Sequence, residues 1–269
     1  MNKIMLAAVL STAAAPAFAQ GEAAGPVSVS GSVALVSDYM FRGVSQTDEA
    51  MAIQGGLSLA HESGFYVGTW ATNLAGWGTF GGSSMELDIY GGYTAPIGVA
   101  TLDVGLTWYM YPDGADTTDF AEVSVKLSGD LGPASALVGV AYAPSQKALG
   151  NWSNTPQSAV GDKEDNLYIW ADLSSGIPGT PITLKGHLGY SDGNPGLGPN
   201  GTSIAPTGSY WDWTLGADLA LGPITLGVAY VDTSISNADR QYILPGFANS
   251  KDGSNIAAGR VVASISAAF

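Results

Sequence analysis

Residues 85–93 read Met85-Glu86-Leu87-Asp88-Ile89-Tyr90-Gly91-Gly92-Tyr93. In an extended chain Met85, Leu87, Ile89, Gly91 and Tyr93 fall on one side, and Glu86, Asp88 and Tyr90 on the other. This is the period of a strand with one apolar and one polar face. Carboxylates spaced between aliphatic residues fit a strand with lipid on one side and a polar interior on the other, because charge is expensive against mid-bilayer hydrocarbon.

The same alternation recurs along the chain. Residues 27–42 place Val27, Val29, Val33, Leu35, Tyr39 and Phe41 on one face and Ser28, Ser30, Ser32, Asp38 and Arg42 on the other. Further runs are Met51 to Leu59, Phe65 to Asn73, Ala100 to Met110, Ala121 to Leu127, Ala134 to Tyr142 and Leu167 to Leu173. Ile182 to Tyr190, Trp211 to Leu219, Ile224 to Tyr230 and Val261 to Phe269 bring the expected strands to twelve. Expected turns at Glu62-Ser63, Ala95-Pro96, 129–132, 175–179 and Leu221-Gly222 are short, while the intervening loops, roughly 42–50, 74–83, 111–118, 143–164, 191–209 and 232–256, are long. Short and long connections in alternation with an even strand count specify an antiparallel up-and-down transmembrane β-barrel, with short periplasmic turns and long external loops. Closure satisfies every backbone donor and acceptor, as hydrocarbon requires. A soluble β-sandwich would not explain the alternating loop lengths.

The composition agrees. The chain has 269 residues, 46% hydrophobic and 12% charged, against about 25% charged in a typical soluble domain. It has no cysteine, which excludes disulfide scaffolds and thiolate chemistry. Lys3, the apolar run Ile4 to Ala15 and the site Ala17-Phe18-Ala19 read as a secretory signal over residues 1–19, cleaved before Gln20. Residues 20–269 then form a single barrel domain whose formal charge moves from −14 to −15 with the loss of Lys3. Tyr39, Phe41, Trp108 to Tyr111, Tyr190, Tyr210 to Trp213, Tyr230 and Phe269 lie near strand ends, where interfacial aromatic girdles sit. The terminal Phe269, on an alternating last strand, has the form of an insertion signal for barrel-assembly machinery.

Three stretches resemble the TorF-type putative porins: Ser37-Asp38-Tyr39-Met40-Phe41-Arg42-Gly43-Val44-Ser45-Gln46-Thr47 with Gln54-Gly55-Gly56, then 61–73, then 86–93. The rest of the chain is similar in general character only. The resemblance implies a bacterial outer-membrane barrel and brings neither catalytic residues nor an established substrate.

By parity the lumen is lined by Asp38, Arg42, Glu86, Asp88, Asp103, Glu122, Lys126, Asp172, Lys185, His187, Asp212, Asp218 and Arg260. Eight carboxylates against four firm cations predict a pore that prefers cations or neutral polar solutes. Small inward residues such as Ser28, Ser30, Ser32, Gly105 and Thr107 leave room for water. Asp38 and Arg42 suit either a solute-selecting constriction or, the favoured expectation, a clasp for the first external loop, with Gly43 allowing a bend. The expected function is passive diffusion of small hydrophilic solutes in the outer membrane of a Gram-negative bacterium. The alternative is a non-conducting surface scaffold or adhesin. Expected surroundings are outer-membrane lipid and lipopolysaccharide, with no nucleic acid and no cofactor.

Two histidines, His61 and His187, lie beside no recognisable nucleophile, so no enzyme is expected. Asp113, Asp116 and Asp119 invite a calcium site but lack the spacing of a calcium-binding loop, which favours a solvated loop and no metal.

Overall fold

Branched and aromatic residues at every second position make extended backbone the natural state of each repeat, and neighbouring repeats bond through their main chains. The computed structural model describes residues 25–193 and 195–269. The expected signal, residues 1–19, lies outside the described residues. The strands are β1 (Val27–Val36), β2 (Met40–Phe41), β3 (Val44–Ser45), β4 (Ala52–His61), β5 (Phe65–Asn73), β6 (Met85–Ile97) and β7 (Ala100–Met110). They continue as β8 (Phe120–Asp130), β9 (Ala134–Ala143), β10 (Asn166–Gly176), β11 (Ile182–Gly193), β12 (Tyr210–Leu221), β13 (Ile224–Thr233) and β14 (Arg260–Ala268). Twelve of them close an antiparallel barrel in the order β1-β14-β13-β12-β11-β10-β9-β8-β7-β6-β5-β4, with β4 returning to β1. The short pair β2 and β3 forms its own ladder.

The seam closes at the chain end. Phe269 and Gly31 exchange both backbone bonds, at 2.8 and 2.9 Å, and a Cβ on Gly31 would stand 2.7 Å from the Phe269 ring. The outer surface exposes Val29, Ile53, Leu57, Ile89, Leu106, Val125, Leu188 and Ile265, an apolar belt that suits hydrocarbon.

Three expectations need correction. The β6–β7 turn falls at Gly98-Val99, because Gly98 takes the left-handed backbone (φ 61°) while Ala95 and Pro96 still face Leu102 and Thr101 across the ladder. The first strand stops at Val36, so parity no longer assigns a face to the residues beyond it. Tyr39 is buried and Phe41 half-buried inside the barrel, packed in an apolar cluster and not set against lipid. Tyr109, Tyr111 and Tyr210 are buried there too, whereas Trp108, Trp211, Tyr230 and Phe269 remain exposed at strand ends as girdle residues do.

The lumen is also fuller than its serines and glycines suggest. Inward glycines stand opposite inward aromatics: Gly68 pairs with Tyr90, Gly92 with Tyr66, Gly56 with Trp70 and Gly139 with Trp170. A Cβ on Gly68 would lie 2.5 Å from the Tyr90 ring, so these glycines are the floor on which large rings lie flat.

Candidate functional site: the lumen and its plug

Twelve of the thirteen charged residues that parity assigns to the lumen lie at two levels, and the thirteenth, Arg260, bonds Asp38. Near the short turns, Lys126 Nζ lies 3.0 Å from Asp103 Oδ2 and Lys185 Nζ lies 2.6 Å from Asp218 Oδ2. The Lys126 and Asp103 side chains both keep 22% exposure, so water reaches this half of the lumen. Nearer the long loops, Asp38, Arg42, Glu86, Asp88, Glu122, Asp172, His187 and Asp212 are all buried.

The first long loop, residues 37–51, turns into the barrel among them, and residues of other long loops, Ala205, Ile235, Phe247 and Ile256, pack against it. Arg42 and Gly43 carry left-handed backbone at φ 46° and 78°, and Gly43 passes so close to Thr233 and Asp212 that a Cβ would collide. The turn sends Arg42 across to the opposite wall, where Nη2 meets Glu122 Oε2 at 2.6 Å. Its guanidinium lies over the Phe41 and Tyr168 rings at 4.9 and 4.1 Å, and its carbonyl accepts the Tyr210 hydroxyl at 3.1 Å. Asp38 is held on the other side: Arg260 donates to Oδ2 at 3.0 Å, and Ser45 and Thr47 donate to Oδ1 at 2.6 and 3.0 Å. Arg260 also reaches Glu49 at 2.8 Å. Asp48 accepts from the backbone and hydroxyl of Ser250, and the Gln46 carbonyl accepts from Ala75. Asp38 and Arg42 therefore do not pair with each other. Each anchors the loop to a different wall.

His187 sits between two carboxylates, Nδ1 at 2.6 Å from Asp172 Oδ1 and Nε2 at 3.1 Å from Asp212 Oδ1, with the Tyr168 hydroxyl 2.8 Å from Nε2. The ring is thus held on both edges, by Asp172 on one side and by Asp212 with Tyr168 on the other. His61 bonds Ser63 within its own turn. In the 111–119 loop, Asp119 Oδ1 accepts from the Tyr111 backbone at 3.0 Å, capping the chain.

Six of the eight inward carboxylates thus meet an Arg, Lys or His side chain: Asp38, Asp103, Glu122 and Asp218 one each, and Asp172 and Asp212 the shared His187. Among the described residues Glu86 and Asp88 meet none. Glu86 Oε1 accepts the Tyr39 hydroxyl at 2.9 Å, and Asp88 Oδ1 is buried without a hydrogen bond. The sequence reading named these charged groups but not Tyr168 or Trp170, which share the parity of Asp172, and it set Tyr39 on the apolar face. Trp170 donates to Asp172 at 3.1 Å. Their signal was the run of inward glycines on the facing strands.

A family model described as a bacterial protein of unknown function, Gcw_chp, matches residues 20–269. The chain belongs to the Gcw_chp family. No protein with a curated description matches it in sequence. The Gcw_chp barrel is similar in fold to the NanC porin, with a TM-score of 0.53 at 11% identity over 90% of this chain and 99% of that one. An outer membrane channel from Pseudomonas putida F1 gives 0.46 at 10% over 89% and 94%, and the outer membrane protein opdK from Pseudomonas aeruginosa 0.44 at 12% over 91% and 67%. At such identity the NanC likeness shows the fold alone.

Proposed function

We propose that this Gcw_chp protein is a narrow porin-like channel of the bacterial outer membrane, of the TorF type, passing small hydrophilic solutes by diffusion with cations or neutral solutes favoured. The carrying observation is a closed barrel, apolar outside, whose interior holds a wall of charge that water reaches from the short-turn side. The loop 37–51 sets the constriction. Matched pairs contribute little field, so selectivity falls to Glu86 and Asp88, which have no cationic partner among the described residues, and to Asp172 and Asp212, which share His187. No catalysis is assigned to it.

Single-channel recording in planar bilayers tests this directly. Small-conductance openings with a cation-selective reversal potential in a potassium chloride gradient are expected, and anion preference would overturn the selectivity. A liposome swelling series of sugars, amino acids and nucleosides then ranks the solutes. The packing of loop residues such as Val44, Ile235, Phe247 and Ile256 inside the mouth favours the second reading, a surface scaffold, which would carry no current.

A further inference from the structure

Side chains of segment 37–51 and of other long loops meet across the mouth of the barrel. Val44 packs in one cluster with Ile235, Phe247 and Ile256, and Tyr39 in another with Phe80 and Ile204. A solute passes this level only if the segment moves, so whatever holds the segment down decides when the barrel conducts. Its tip rests on β10 and β12. Arg42 lies 4.1 Å over the Tyr168 ring, its carbonyl accepts the Tyr210 hydroxyl at 3.1 Å, and a Cβ on Gly43 would stand 3.1 Å from Asp212 Cβ. Next to this seat, on β11, is His187. The titratable and charged groups around it are Asp172 and Tyr168 from β10, Asp212 and Tyr210 from β12, and Arg42 with its partner Glu122. On its own strand Lys185 follows two residues away, paired with Asp218. The side chains of Asp172 and Asp218 keep 9% and 16% exposure, so water from the short-turn half reaches the edge of the cluster.

Tyr168 has a single hydroxyl proton and three atoms within reach of it: Asp212 Oδ1 at 3.2 Å, Asp212 Oδ2 at 3.1 Å and His187 Nε2 at 2.8 Å. With both ring nitrogens protonated, Nδ1 donates to Asp172, Nε2 donates to Asp212, and Tyr168 donates to Asp212 as well. A neutral imidazole has one N–H and one bare nitrogen. If Nδ1 keeps its proton against Asp172 at 2.6 Å, Nε2 becomes an acceptor and the Tyr168 hydroxyl turns to it. Asp212, only 3% exposed, then loses both donors. A buried carboxylate without donors is costly, and the cost is relieved by admitting water under the tip of the segment. We propose that His187 is a proton-operated latch: protonated, it fixes Tyr168 and Asp212 beneath Arg42 and Gly43, and loss of its proton as pH rises releases segment 37–51 and opens the mouth. The gating half of this proposal rests on the channel reading; the movement of the segment does not.

Because the chain has no cysteine, Val44→Cys puts one thiol on the segment, at a buried position. The purified full-length chain in detergent is labelled with a methanethiosulfonate reagent from about pH 5 to about pH 10, and the rate is divided by that of Trp152→Cys, whose position is exposed. The ratio should rise roughly tenfold through one transition as pH increases, and should stay flat when His187→Gln is added. Heat-modifiable gel migration verifies folding at each pH. If His187→Gln fails to fold, Asp212→Asn, which removes the stranded charge, takes its place with the same flat profile expected. A flat ratio in the parent, a rise that persists in a folded variant, or release on acidification, which would assign the latch to Arg42 and Glu122, overturns the proposal. Single-channel recording over the same range keeps the two ideas apart. Labelling that rises with pH without current removes the channel and leaves the latch, and current with a flat labelling ratio removes the latch and leaves the channel.

Discussion

Arg42 shows how one residue holds a loop in a membrane barrel. Its charge is buried, so it persists only because Glu122 neutralises it and two rings cover it. Removing one member of a buried pair strands the other, at a cost of about 3–5 kcal/mol. Arg42→Ala should therefore lower the thermal midpoint and free the loop, read as larger and noisier single-channel currents. Gly43→Ala should act in the same direction without touching charge, because its left-handed backbone and its passage beside Thr233 leave no space for a methyl group. Equal currents in both variants and the parent would show that loop 37–51 does not restrict the pore. Glu122 was legible as an inward group from its strand's period, whereas Arg42 lies beyond the end of the first strand, where that period gives no face. Which carboxylate met which cation was not legible, because Asp38 to Arg260 and Arg42 to Glu122 are separated by 222 and 80 residues.

At the scale of elements, the strands were legible from their period and the loops were not. A strand repeats one local rule, whereas a loop is shaped by what it lands on. The 144–165 loop illustrates this: it enters β10 through Glu164, Asn166 and Tyr168, an inward column that continues the strand's alternation before the ladder begins. Burial pushes the Glu164 carboxyl up to about 8, and Asp162 and Asp165 nearby push the same way. The protonated acid is the form this fold favours. Its contribution is complete below the ordinary carboxylate range and is lost as pH rises through about 8. Trypsin cleavage at Lys147 and Lys163 should thus accelerate between about pH 5 and pH 9 relative to an unstructured control peptide. Glu164→Gln should flatten that rise, and a parallel rise in the variant would show that another group is responsible.

For the whole molecule, the apolar average and the acidic sum of the composition occupy different surfaces. Aliphatic residues face lipid, five basic side chains meet six inward carboxylates, with Asp172 and Asp212 sharing His187, and Glu86 and Asp88 have no cationic partner among the described residues. Cation preference should accordingly fall in a Glu86→Gln, Asp88→Asn double variant far more than in Asp103→Asn, whose carboxylate is matched by Lys126; equal losses would place the selective charge elsewhere. The sequence by itself determined the barrel: the period of two, the twelve repeats and the alternating connections suffice, because lipid outside and closure overall allow a sheet no other form. Only the tertiary structure decided how full the lumen is. Beyond Val36 the chain leaves the strand period for a left-handed turn at Arg42 and Gly43, and from there burial against distant walls, not alternation, sets where each side chain lies.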